Sequence, residues 1–92
     1  MSDIDITAME PGHFGVQVTE GTVTASARVA VPEDLLDDLA LLDVPAERVV
    51  EETIAFLLER EPATAIPREL SLADVAGRYP EYYEELRARL AA

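Results

Sequence analysis

Cysteine, lysine and asparagine are all missing from this chain. Without cysteine there are no disulfides, no thiol nucleophiles and no thiolate metal sites. Histidine occurs once, as His13, and the four glycines fall into neither a phosphate-cradling loop nor a nucleotide fingerprint. No serine–histidine–acid constellation is legible. A non-catalytic protein without metal or cofactor is therefore expected. No apolar run is long enough to span a bilayer. The start, Met-Ser-Asp-Ile-Asp, lacks the basic and apolar regions of a secretion signal. A cytoplasmic location and no membrane partner follow as expectations. Lysine and asparagine have A/T-rich codons, so their absence, beside abundant Ala, Val, Leu, Glu and Arg, points to a GC-rich bacterial genome, with a haloarchaeon as second choice.

What the chain does have is acid. Nineteen carboxylates face seven basic residues, all arginine, for a net charge of −12 over 92 residues. The distribution is uneven. Residues 1–31 hold four acids and one arginine, residues 32–62 ten and two, and residues 63–92 five and four. Such a surface repels nucleic acid and anionic membranes and attracts basic partners. About half of the residues are apolar, enough for one small domain over residues 1–92 with a single core.

The periodicity predicts an α+β fold. HFGVQVTEGTVTASARVAV reads as an antiparallel β-hairpin over about 13–31. A turn at Glu20-Gly21 would pair Val18 with Val23, Val16 with Ala25 and Phe14 with Ala27, gathering the apolar sets on one face. Ile4 and Ile6 alternate as well and offer a third, edge strand. Three to four helices follow, at about 33–42, 45–61, 72–78 and 80–90. Pro32 opens the first, whose leucines form a stripe opposite Glu33, Asp34, Asp37 and Asp38. The second carries the longest stripe, Val49/Val50, Thr53/Ile54 and Leu57/Leu58, and is expected to cover the hairpin's apolar face. Ser71 reads as the N-cap of the third, with Asp74 three residues on.

The run SLADVAGRYPEYYEEL also matches the way a helix-turn-helix begins its second helix. A DNA-reading helix must offer Arg, Lys, Gln or Asn to phosphates and base edges, whereas this one starts Pro-Glu-Tyr-Tyr-Glu-Glu. DNA binding would need Arg68, Arg78, Arg87 and Arg89 on one face. The carboxylates of 33–38 lie on a regular helix, not in a loop that could wrap an ion, so they read as a solvated acidic face and not as a metal site. Tyr79, Tyr82 and Tyr83 cluster around Pro80, either as an aromatic contact surface or as packing under the last helix. His13 reads as a surface or packing residue. A ligand-binding role would need a hollow containing it or the tyrosines.

The stretch IAFLLEREPATAIPREL with the following SLADVAGRYPEYYEEL resembles short uncharacterised proteins of high-GC actinobacteria, a likeness of general texture from the hairpin to Tyr83. It implies a source and a single-domain form, and it carries over no functional residue. By elimination the expected role is a small protein-binding or regulatory module. Such a module would present Glu33, Asp34, Asp37 and Asp38, with Tyr79, Tyr82 and Tyr83, to a basic protein partner. A nucleic-acid mimic is one version of it, and self-association through the hairpin edge is another route. The alternatives are a helix-turn-helix-like DNA-binding regulator and a small-ligand-binding protein.

Overall fold

A computed structural model describes residues 2–32, 34–35 and 44–90. Strands β1 (Ser2–Glu10), β2 (His13–Glu20) and β3 (Val23–Ala30) form an antiparallel meander. Helix α1 (Ala46–Leu58), a 3-10 turn (Ala63–Ala65), strand β4 (Glu69–Ser71), helix α2 (Leu72–Arg78) and helix α3 (Tyr82–Leu90) follow. The sheet order is β1-β2-β3-β4, with β4 parallel to β3. The α+β class holds, but the sheet has four strands and is mixed, where a hairpin of two or three strands was expected. The third strand is the one expected from Ile4 and Ile6. The fourth was not foreseen.

The hairpin register differs from the expectation by two residues, for a reason that lies in one glycine. The two-residue loop is Gly21-Thr22, so Glu20 pairs with Val23, Val18 with Ala25, Val16 with Ala27 and Phe14 with Val29. Gly21 has φ +61° and stands first in the loop. A tight hairpin needs positive φ at that first position, which a glycine adopts without strain and a glutamate does not. A slip of two preserves which side chains share a face, so the expected apolar face survives. The β1–β2 turn solves the same problem differently. Pro11 fixes its own φ near −65° and excludes a turn with two left-handed residues. Gly12, at φ +80°, supplies the single positive φ. Such a turn matches strand twist poorly, and the register shifts between Ala8 and Glu10, leaving Met9 as the extra residue of a bulge. The Met9 side chain lies across Gly15, the one strand position with no side chain in its way.

Phe14, Val16, Val18 and Val29 are buried on the inner face. On them sits α1, burying Val49, Val50, Thr53, Ile54, Phe56 and Leu57, the face that its spacing predicted. It starts after Pro45, whose carbonyl accepts from the amides of Arg48 and Val49. It ends at Leu58, short of the expected 61. Pro62 disfavours helical backbone in the residue before it, and Glu59–Glu61 close off as a turn with Glu61 N donating to Leu57 O. Glu20, at the hairpin tip, accepts a hydrogen bond from Ala63 N at 3.1 Å and so pins the sheet to the 3-10 turn. Ser71 ends β4 and caps α2, its Oγ accepting from Ala73 N at 3.3 Å. Helix α3 begins at Tyr82, two residues later than expected, because Pro80 and Glu81 form a turn closed by Tyr82 N donating to Tyr79 O. Of the expected helix at 33–42, residues 33 and 36–42 lie outside the described residues. Asp34 and Leu35 are helical, and Leu35 N donates to Pro32 O at 3.1 Å.

Two substitutions separate the glycine requirements. Alanine at either positive-φ position costs about 1–2 kcal/mol in backbone strain. Gly21 has open space around it, whereas a Cβ on Gly12 would meet Val31 O at 3.3 Å. Both Gly12→Ala and Gly21→Ala should lower the urea midpoint, Gly12→Ala by the larger amount.

Candidate functional site

Four of the five aromatic residues meet where α1 packs on α3. Phe56 makes an edge contact with Tyr79 (centroids 5.6 Å apart) and a tilted one with Tyr82 (5.3 Å), and Tyr83 stacks obliquely on Tyr82 at 5.4 Å. Tyr82 is fully buried, so it forms no part of an exposed contact surface. Helical geometry turns its ring inward while Tyr83, one residue on, is carried toward the rim, where it is half-buried. Thr53 Oγ1 lies 2.7 Å from Val49 O and 2.6 Å from the Tyr82 hydroxyl. The threonine has a single hydroxyl proton, which goes to the carbonyl, so Tyr82 donates to Thr53. Burial pushes the Tyr82 phenol well above its ordinary range. Tyr79 is half-buried and donates to Glu61 Oε2 at 2.8 Å, a hydrogen bond that, with desolvation, also raises its phenol.

Around the aromatic cluster runs a lattice of ion pairs. The Arg60 guanidinium lies 3.6 Å from the Phe56 ring centroid and reaches Glu85 at 3.3 Å and Glu81 at 3.5 Å. Arg89 bonds Glu59 and Glu85, with Glu52 at 3.9 Å. The hydrogen bond from Arg89, first among the causes, holds Glu85 below its ordinary carboxylate value, and the Glu59 and Glu85 bonds raise Arg89. Glu61 Oε2 takes both Arg78 and Tyr79, while its Oε1 is buried with no hydrogen-bond partner among the described residues. These groups tie α1 and the turn after it to α2 and α3. A cation over a desolvated ring adds to what exposed ion pairs contribute, which is about 0–1 kcal/mol each. The α1–α3 seam is thus a packing device, whose arginines are paired with its carboxylates while Glu61 Oε1 stays unpartnered among the described residues.

The remaining residues of interest are dispersed. Asp34 is exposed, while Glu33, Asp37 and Asp38 lie outside the described residues. His13 Nδ1 is 3.7 Å from Glu10 Oε1, and Glu10 in turn accepts from Arg28 at 3.1 Å. These three, with Glu69, Ser71 and Asp74, line an open hollow of about 420 Å³. That hollow was visible in the sequence only as the lone histidine. Glu10, His13 and Arg28 pair with one another, Glu69 and Asp74 are exposed, and the serine oxygen is occupied by the cap of α2. Of the four arginines that DNA binding would need together, Arg78 and Arg89 are bonded to carboxylates. Arg87 and Arg89 sit two residues apart on α3, about 200° around the helix, with Arg87 exposed and Arg89 partly buried. Among the described residues no group of three or more His, Cys, Asp or Glu could hold a metal ion, and no helix is long and apolar enough to cross a membrane. Comparison of the chain with protein-family models, with curated proteins and with solved structures finds no match.

The buried phenol gives a pH prediction with a definite sign. In the unfolded chain Tyr82 ionises near its ordinary value of 10, whereas in the folded chain it stays protonated above that. The folded state then binds more protons, so stability is intact below pH 10 and falls as pH rises beyond it. Tyr82→Phe, which also costs about 1 kcal/mol through the lost hydrogen bond, should flatten that alkaline fall. Denaturant titrations at neutral and alkaline pH measure both effects.

Proposed function

We propose that this chain is a small acidic, non-catalytic binding or regulatory module whose partner is a basic protein. One observation supports the reading above others, the partition of charge. Arg28, Arg60, Arg78 and Arg89 all lie against carboxylates of the same chain. With nineteen acids against seven arginines, internal pairing consumes most of the positive charge and leaves a surface of negative sign. Such a field steers basic partners in and keeps phosphate backbones out. The acidic segment with Glu33, Asp34, Asp37 and Asp38 is the proposed contact, and half-buried Tyr83 a second, apolar one. Tyr79 is engaged with Glu61, and Tyr82 with Thr53. Action inside a bacterial cell, with the GC-rich source suggested by composition, belongs to the same proposal.

A second reading, a small-ligand protein, draws on the hollow beside His13 alone. A ligand there would raise the melting temperature by binding the folded state, and His13→Ala would abolish that rise.

The first reading is tested by capturing partners of the tagged chain from bacterial lysate, with and without nuclease, at low and at moderate salt. The expected result is a basic protein retained in both nuclease arms, released as salt rises, and lost when Asp34, Asp37 and Asp38 are all changed to Asn. Recovery of nucleic acid in the untreated arm alone would overturn it.

A further inference from the structure

We propose that the free edge of β1 is a docking site for an extended basic segment of a partner, which adds to the sheet as a fifth strand. This rests on the acidic-module reading and names where and in what conformation the partner binds. The backbone parity follows from the hairpin. In a two-residue hairpin the residues flanking the loop, Glu20 and Val23, form a hydrogen-bonded pair, and bonded pairs then recur at every second residue. Phe14, Val16 and Val18 therefore turn their backbone groups to β3, leaving Gly15, Gln17 and Thr19 to face β1. Their partners there are Thr7, Asp5 and Asp3. Ile4, Ile6 and Ala8 are left with N–H and C=O groups pointing out of the sheet. The far side of β3 obeys the same parity, since Arg28 N donates to Arg68 O at 2.6 Å at the start of β4.

Burial agrees with an open edge. Val16 and Val18 in β2 are 3% and 2% exposed, whereas Ile4 and Ile6, on the same inner face one strand out, are only partly covered and Ala8 is exposed. Among the described residues no backbone group outside β2 bonds to β1. At nine residues it is a long edge strand without lysine or proline, and the bulge at Met9 and the exposed Asp3 and Asp5 restrict what can pair with it.

The side chains define the occupant. On the inner side of the edge stand Ile4 and Ile6, and on the outer side exposed Asp3 and Asp5. A strand laid against them meets the two sides with alternate residues. The complementary segment alternates apolar residues, seated beside the isoleucines, with Lys or Arg opposite the aspartates. A second copy of this chain fits less well, because it brings the same two aspartates and a further net charge of −12.

Amide exchange with a synthetic peptide alternating valine and lysine tests this. The control is a peptide of equal composition with its valines and lysines in separate blocks. In the free protein, Ile4, Ile6 and Ala8 amides should exchange fast while Asp3, Asp5 and Thr7 are protected. Saturating alternating peptide should slow the Ile4, Ile6 and Ala8 amides by about tenfold or more, and the block peptide should not. Asp3→Lys with Asp5→Lys, both at exposed positions, should abolish the protection with the fold intact, and Ile6→Pro should block the edge itself. Binding of both peptides with no new protection in β1 would overturn the edge site while leaving the acidic module standing. Failure of both peptides to bind would remove the edge site and leave the basic-partner reading to the capture experiment. Protection of Ile4, Ile6 and Ala8 before any peptide is added, with a dimer in sedimentation, would overturn the proposal in favour of a second copy.

Discussion

The hydroxyl of Tyr82, buried and donating to Thr53, is the contact on which the rest of this small domain depends. A chain with five aromatic residues cannot spread them. It concentrates four at one seam, and the largest fully buried side chain there is also the one that carries a polar tip. The hydrogen bond from Tyr82 to Thr53, and from Thr53 to Val49 O, satisfies both hydroxyls inside the core. Without that relay the phenol would lie buried with an unmet donor, a penalty of about 1–3 kcal/mol. Through Phe56 the seam joins α1 to α3, and through α1 it covers the inner face of the sheet. The apolar face of the meander is taken out of water by helices that arrive later in the chain.

The charged groups repeat this logic at the surface. Arg60 and Arg89 bridge carboxylates of α1, or of the turn after it, to those of α3, and Arg60 also covers the face of Phe56. Arginine suits the task because its planar cation stacks on a ring while its edge donates to carboxylates. Four of the seven arginines are thus spent on holding elements together, and the many anions dominate the outward field. Structure and external potential are divided between the two signs of charge.

The α+β class, the inner face of α1 and the Ser71 cap were readable from periodicity and capping chemistry alone, because each is a local property. Thr53 stood in the apolar stripe and Arg60 falls four residues after Phe56, the spacing that puts two side chains on one helix face; their partners on α3 were not readable. Spacing could not choose among Tyr79, Tyr82 and Tyr83, because which ring turns inward depends on where α3 begins, and the turn at Pro80 and Glu81 sets that. The hairpin register was missed by two residues through placing Glu20, not Gly21, first in the loop. Strand β4 is three residues long, too short for any period to show, and its partner lies some forty residues back, so only tertiary pairing reveals it. The acidic segment and the β1 edge differ in the same way. Carboxylates can be counted in a string of letters, and the alternation of Ile4 and Ile6 suggested an edge strand, whereas which backbone groups that edge leaves unpaired follows only from the register.

The dependence of an early sheet on a late tyrosine also has a consequence in time. A ribosome makes β1, β2 and β3 first and Tyr82 among the last of the described residues. Until α1 is made the apolar side of the meander has no cover, and until residues 69–71 are made β4 cannot complete the sheet. Synthesis proceeds at about 5–20 residues per second, so the interval lasts seconds. During it the nascent strands are open to stray pairing, and the aspartates at positions 3 and 5 restrict it on the strand that ends at the sheet's edge.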